Sequence, residues 1–234
     1  MFNRCGRPIR FLIRLAALVL FVVSLGVFAG ILYQYQWYFP ANFQAAQFLA
    51  GRESFFVGSY RVAFYAHIVC GPLAILIASF LFWSGRRNYR IGLHRWLGRV
   101  QFVLVLVLSL SGLVMAPRAH TGTLAGIGFA ILSLLTFLTM IWSLKHVRRG
   151  EIRHHQLWST RLFILLLSTI LLRMISGSAA LTGIDSGILY PLSAWGSWLV
   201  PLMIFELARQ RDWEKSESSK KQPADFIAKQ NSQP

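Results

Sequence analysis

Six long apolar runs constrain this chain more than any other feature. We predict membrane spans over Phe11–Tyr33, Tyr60–Trp83, Trp96–Ala116, Thr121–Leu144, Leu157–Leu181 and Tyr190–Leu207. About 20 helical residues cross a hydrocarbon core of about 30 Å, and backbone polar groups in lipid must be paired within the protein. Hydrophobic residues fill 55% of the 234 positions, an unusual share for a soluble domain. The sequence therefore predicts an all-α integral membrane bundle of about six helices, with spans two to five as a four-helix core.

The segments between the spans set the predicted domain boundaries. They are a basic N-terminus over 1–10, a first helix over 11–33, an outer loop over 34–59, a five-helix core over 60–208 and a disordered cytoplasmic tail over 209–234. The first span also has the pattern of a signal peptide, with Val27-Phe28-Ala29 as a cleavage site. The apolar run continues to Tyr33, so we favour a retained helix. Cleavage would leave five spans in the same orientation.

The distribution of charge predicts the orientation in the membrane. Twenty of the 24 Lys and Arg residues fall in segments that share one side, which includes both termini. Positive charge accumulates in cytoplasmic loops, so both termini are predicted to be cytoplasmic in a bacterial inner membrane. The net charge of +16 then indicates contact with the bilayer and with anionic lipid headgroups on that side. This distribution argues against nucleic acid as a partner.

Histidines occupy matching positions on the four central spans. His67 lies about two turns inside the outer end of span two, and His120 begins span four on the same side. His94 and His155 lie at the inner ends of spans three and five. Spans two and four, and spans three and five, can face each other across a helical bundle. We therefore predict two iron-binding pairs, His67–His120 near the outer face and His94–His155 near the inner face.

The chemistry of a b-type haem site fits several features of these spans. Haem iron takes neutral imidazole as an axial ligand, and its carboxylates are recognised by arginine. The small residues Gly71, Ala74 and Ala78 follow His67 on one helical face, and the inner pair is accompanied by the cations Arg95, Arg99 and Arg161. The alternative is that small residues only allow close helix packing, and that terminal His and Arg only meet headgroups.

Two further ions lie within the predicted spans. Arg173 follows His155 by five helical turns, so both face the same way, and Glu206 lies near the inner end of span six. Charges inside spans are often functional and need partners, so both are predicted to bind a cofactor. Asp185 is the nearest outer acid for Arg173. An ion pair between helices, or a headgroup contact, is the alternative for either residue.

The central motifs resemble an uncharacterised bacterial family of predicted multi-pass membrane proteins of unknown function. The resemblance covers about 150 residues and rests on these positions: His67 with Gly71-Pro72, His94-Arg95 with Gly98-Arg99, His155 with Trp158 and Arg161, Arg173 and Glu206. The histidine arrangement is also distantly similar to transmembrane di-haem cytochromes b that use ascorbate or a related reductant. That resemblance implies the same second-with-fourth and third-with-fifth pairing.

Three kinds of function remain compatible with the sequence. The first is a b-type haem electron carrier, which would make the protein a membrane oxidoreductase if it acts as an enzyme. The second is a transporter-like protein that binds a small solute or lipid in a polar His/Arg/Glu pocket. The third is a structural subunit of a membrane complex. The sequence has no glycine-rich nucleotide loop and no carboxylate pair on one span, so it does not support hydrolase or nucleotide-driven activity.

Overall fold

The computed structural model describes residues 6–46, 48–87, 90–177 and 186–230. Within these residues the long elements are six α-helices: α1 Gly6–Tyr33, α2 Gly58–Arg86, α3 Ile91–Met115, α4 Thr123–Arg148, α5 Ile152–Gly177 and α6 Ser186–Gln230. Each contains a stretch that is long and apolar enough to cross a membrane. The predicted all-α membrane class is therefore confirmed.

The helices extend beyond the predicted spans, mainly at the ends that the charge distribution predicts to be inner. α2 continues to Arg86 and α4 to Arg148. α6 is helical to Gln230, whereas the sequence predicts a disordered tail from residue 209. Lys, Glu, Ala and Gln are good helix formers, so the helix continues past the end of its apolar stretch.

Four helices close into a ring. α2 packs against α3, α3 against α4, α4 against α5, and α5 against α2. This order confirms the four-helix core predicted for spans two to five, and it places α2 diagonally opposite α4 and α3 diagonally opposite α5. α6 packs outside the ring on α4 and α5, and α1 contacts α5.

The ring buries small and branched side chains at its centre. Ala74 and Ala78 of α2 meet Val105 of α3 and Leu162 and Leu166 of α5 in one buried cluster. Alanine removes side-chain bulk, so the helices can approach closely where lipid gives no hydrophobic driving force. Large apolar side chains cover the outer surface of the helices, among them Leu76, Val103, Leu110, Leu138 and Met203. This surface suits a chain that crosses the membrane.

An aromatic cap covers the outer end of the bundle. The segment between α1 and α2 folds over α2 and buries Tyr38 and Phe56 against Tyr60 and Phe64. The Phe48 ring stacks on Phe64 with 5.5 Å between centroids. Aromatic rings bury large areas and tolerate the interface between lipid and water. The predicted outer loop is therefore a compact structure that closes one end of the ring.

Candidate functional site

A cavity of about 230 Å³ lies beneath the aromatic cap, in the outer half of the ring. We call it the outer cavity. His67, His120 and Arg173 all line it, so the structure brings together three residues that the sequence singles out on α2, before α4 and on α5. Its deeper wall is apolar and includes Ile75 and Leu165. The cavity thus combines a cationic polar region with an apolar floor.

His67 is held by the neighbouring helix. Its Nδ1 lies 3.3 Å from Ser111 Oγ on α3, and that hydroxyl donates to the Leu108 carbonyl at 3.0 Å. Because the serine proton is used by the carbonyl, the serine oxygen accepts from the Nδ1–H of His67. The neutral ring therefore carries its proton on Nδ1 and a lone pair on Nε2.

His120 lies in the connection between α3 and α4. The α-helix ends at Met115 and a short 3₁₀ helix follows over Ala116–Arg118, because proline at 117 cannot continue the α-helical hydrogen bonds. The exposed His120 ring meets Tyr190 of α6 edge-on, with 5.4 Å between centroids. His120 therefore sits at the outer boundary of the cavity, and His67 lies deeper.

Three arginines line the outer cavity, namely Arg52, Arg118 and Arg173. Among the described residues, none of them has a carboxylate partner. Arg52 is 6% exposed; it donates from Nη1 to Tyr60 Oη at 3.0 Å and to the Arg118 carbonyl at 2.8 Å. Arg173 acts electrostatically on Tyr38: burial raises the pKa of that phenol, and the arginine charge opposes the rise. Asp185, the predicted partner of Arg173, lies outside the described residues. The cavity is therefore strongly cationic.

The inner histidines are held in a similar way. His94 Nδ1 lies 3.0 Å from Ser84 Oγ on α2, and its ring packs so closely that a Cβ at Gly85 would lie 3.0 Å from His94 Cε1. His155 Nδ1 lies 3.0 Å from the Ser143 carbonyl on α4 and 2.9 Å from its hydroxyl. A carbonyl can only accept, so the neutral His155 ring carries its proton on Nδ1.

His94 and His155 share one region of the bundle although their helices are diagonal in the ring. His94 lies in the first turn of α3 and His155 in the first turn of α5, so both are at the same end of the bundle. The serines that hold them, Ser84 and Ser143, are almost fully buried. Among the described residues, Nε2 of neither histidine has a hydrogen-bond partner. We call these two residues the inner pair.

The cations predicted around the inner pair differ in their exposure and in their partners. Arg95 and Arg99 are exposed on α3. Arg161 is bound to Glu206 of α6, with Nε donating to Oε1 at 2.6 Å and Nη2 to Oε2 at 3.0 Å. Arg209 adds a second cation to Glu206. The structure thus pairs the two predicted cofactor-binding residues Arg161 and Glu206 with each other, and their role toward a cofactor stays a prediction.

Sequence reasoning did not identify the residues that orient the histidines. Ser84, Ser111 and Ser143 are ordinary small residues of membrane helices, and nothing in their spacing marks them. Arg52 lies in the segment between α1 and α2, where the sequence has no helical pattern that would indicate which way a side chain faces. Only the packing of one helix on the next brings each serine against a ring, and only the folded cap brings Arg52 over the cavity.

Comparisons with known proteins agree with this architecture. The family model described as "Predicted membrane protein (DUF2306)" matches residues 64–208. The match covers most of α2, all of α3 to α5 and the membrane part of α6, and it includes His67, His94, His120 and His155. Neither a curated protein nor a solved structure matches the chain.

Proposed function

The chain belongs to the DUF2306 family of predicted membrane proteins, and we propose that it carries electrons through the membrane on b-type haem. The observation that supports this most directly is the hydrogen bonding of three histidines. His67, His94 and His155 each engage a buried serine of a neighbouring helix through Nδ1. A metal-binding histidine generally donates its second ring N–H to a carboxylate, a backbone carbonyl or a water, which fixes the ring and raises its basicity, and a serine oxygen can accept in the same way.

In this proposal His94 and His155 would hold the iron of one haem. The backbone carbonyl of Ser143 accepts a hydrogen bond from the Nδ1–H of His155, which leaves the lone pair on Nε2 for a metal. Because this acceptor belongs to the main chain, a substitution of the Ser143 side chain would not remove it. His94 comes from the diagonal helix α3, so in this proposal the two rings would approach one iron atom from different sides of the ring of helices. Their bare Nε2 atoms are the positions that would bind iron. Haem b supplies reversible one-electron chemistry when it is bound in this way.

In the outer cavity, His67 and His120 would hold the iron of a second haem. His67 offers a fixed ring from α2, and His120 lines the same cavity from the connection between α3 and α4. The apolar floor suits a macrocycle, and the arginines at 52, 118 and 173 would pair with its carboxylates because arginine binds carboxylates through two parallel hydrogen bonds. If no anion were bound, removing these cations from water would cost considerable free energy.

The two sites would lie toward opposite faces of the bundle. In this proposal the buried serines orient the ligands, the apolar core excludes water, and the arginines neutralise the carboxylates. With one haem held near each face, the protein would relay electrons from one face of the bundle to the other. The electron donor and acceptor would therefore meet the protein on opposite sides.

The test is the haem content of protein expressed with haem precursor. Purified protein should show a Soret band and a sharp α-band after reduction, with haem b extractable by acid–acetone. In a two-haem protein each of His67→Ala and His155→Ala should remove about half of this absorbance, since each deletes one axial ligand. His154→Ala removes the neighbouring exposed imidazole and should leave the spectrum unchanged. A well-folded but colourless protein would contradict the proposal.

A second candidate is a protein that binds an amphipathic anion, such as a lipid or small solute. It is favoured by the outer cavity itself, where three arginines stand over an apolar floor. Such a site would bind a carboxylate or phosphate head and bury an apolar tail. Co-purification of a lipid with colourless protein, and its loss in Arg173→Leu, would support this function over the first.

A further inference from the structure

We propose a Zn²⁺ site at the hairpin between α4 and α5, formed by His146, Glu151 and His154. The potential ligand atoms of these residues all lie within 4.8 Å of one another. His146 is in the last turn of α4, Glu151 immediately precedes α5, and His154 is in its first turn. The cluster is separate from both histidine pairs and does not depend on haem.

The backbone of the hairpin holds the three residues together. Gly150 has φ 75, a left-handed conformation that glycine adopts without strain and that commonly ends helices. The Arg149 amide donates to the His146 carbonyl at 3.1 Å, and the Glu151 amide donates to the same carbonyl at 3.0 Å. Two bonds to one carbonyl return the chain toward α4, so Glu151 is placed beside His146 by the backbone.

The side chains are already arranged as a cluster. The rings of His146 and His154 stack with 5.2 Å between centroids, and His146 also stacks on Trp142. The Glu151 carboxylate is hydrogen-bonded to His146 Nδ1. Glutamate is a carboxylate at neutral pH, so Glu151 offers an anionic oxygen as a ligand.

The donor set favours zinc, which binds His nitrogen and Glu oxygen readily. Two imidazoles and one carboxylate, with a fourth position open to water, are typical of zinc. Binding would replace the hydrogen bond between His146 and Glu151 by two bonds to the metal. The arginines at 148, 149 and 153 are exposed, so water and salt screen their repulsion of a cation. A bound ion would stiffen the hairpin one residue before His155.

The experiment measures zinc bound to the full chain in detergent. Protein stripped with a chelator is dialysed against micromolar Zn²⁺, and zinc per chain is determined by elemental analysis. We expect one high-affinity ion per chain. Glu151→Gln and His154→Ala should each weaken binding by at least about tenfold, the lower end of what outer-shell changes already cause. Glu53→Gln, at the outer side, is the matched control and should bind like wild type.

A second readout separates binding from misfolding. Zn²⁺ should raise the thermal unfolding midpoint of wild type, because a ligand that binds only the folded state stabilises it. Glu151→Gln keeps the size of the side chain and should fold normally without this rise. Unchanged zinc affinity in both variants would overturn the proposal, as would the absence of bound zinc in well-folded wild type.

Discussion

Arg161 on α5 and Glu206 on α6 form an ion pair through two hydrogen bonds, 2.6 Å from Nε to Oε1 and 3.0 Å from Nη2 to Oε2. Arg161 also lies over the Trp158 ring, 4.4 Å from its centroid. The pair links the outlying helix α6 to the ring at its inner end. Two parallel bonds to a carboxylate are a strong and directional contact.

Glu206→Gln should therefore lower the stability of the folded protein. It leaves Arg161 without its carboxylate in a largely buried position, and hydrogen bonds to charged groups are worth about 1.5–3 kcal/mol each before relaxation and solvation reduce the loss. We expect a lower thermal unfolding midpoint in detergent. Arg209→Gln breaks only the more exposed contact to Glu206 and should change the midpoint much less. Equal midpoints for all three proteins would show that the pair contributes nothing.

The orientation of the chain can be tested directly. Since twenty of the 24 basic residues fall on the predicted inner side, both termini should be cytoplasmic. A reporter that works only in the cytoplasm should be active when fused after Pro234. A reporter that works only outside should be active in the loop between α1 and α2. The reverse pattern would exchange the inner and outer sites defined above.

Arg173 should be required for the outer site. Arg173→Leu removes a cation that lines the cavity beside His67, and we expect haem content to fall by about half because only one of two sites loses its carboxylate partner. Arg173→Lys should be an incomplete replacement, since lysine lacks the planar fork. Arg61→Leu, at an exposed outer position, is the control. Full haem content in both Arg173 variants would indicate that the residue only reaches toward headgroups.

Ser111 should act as a positioning residue for His67. Ser111→Ala removes the acceptor of the Nδ1–H, so the ring becomes less basic and less well oriented. Loss of such a partner typically weakens metal binding by roughly 10–100-fold. We expect weaker haem binding in titrations and a higher reduction potential of the outer site. Ser79→Ala, which removes a hydroxyl bonded only to its own helix, should change neither value; a shift equal to that of Ser111→Ala would indicate a general packing effect.

Gly126 should be essential for the junction between α3 and α4. A Cβ at this position would lie 2.5 Å from the Ala116 carbonyl oxygen, and backbone atoms cannot move aside as a flexible side chain can. Gly126→Ala should destabilise the protein by about 1–3 kcal/mol, as overpacking usually does. Gly26→Ala, where nothing lies within 4 Å, should be neutral or slightly stabilising. The comparison requires only unfolding midpoints of the two variants, and equal values would refute the steric argument.

Much of the fold could be predicted because lipid leaves few alternatives. A long apolar run such as the one that becomes α3 must form a helix, since its backbone groups have no other partner in hydrocarbon. The height of His67, His94 and His155 along their helices follows from the rise per residue. The closed ring, with α2 opposite α4 and α3 opposite α5, follows from short connections and packing between neighbours.

The partners of each side chain could not be predicted in the same way. Arg161 and Glu206 are separated by 45 residues, and the sequence does not fix how far each helix rotates about its axis. The same holds for Ser111 against His67 and for Ser143 against His155. The helical period identifies which residues share a face, but the packing of that face depends on crossing angles set by side chains from several helices at once.

The sequence by itself thus determined that the chain crosses the membrane as helices, with histidines placed near both ends of the bundle. The tertiary structure decided which groups hold each ring and which cations surround the outer cavity. It also decided that Glu206 binds Arg161 and that His146, Glu151 and His154 converge. The physical reason is range: hydrophobic burial and backbone hydrogen bonding act along a segment, whereas these contacts form only when distant segments have packed.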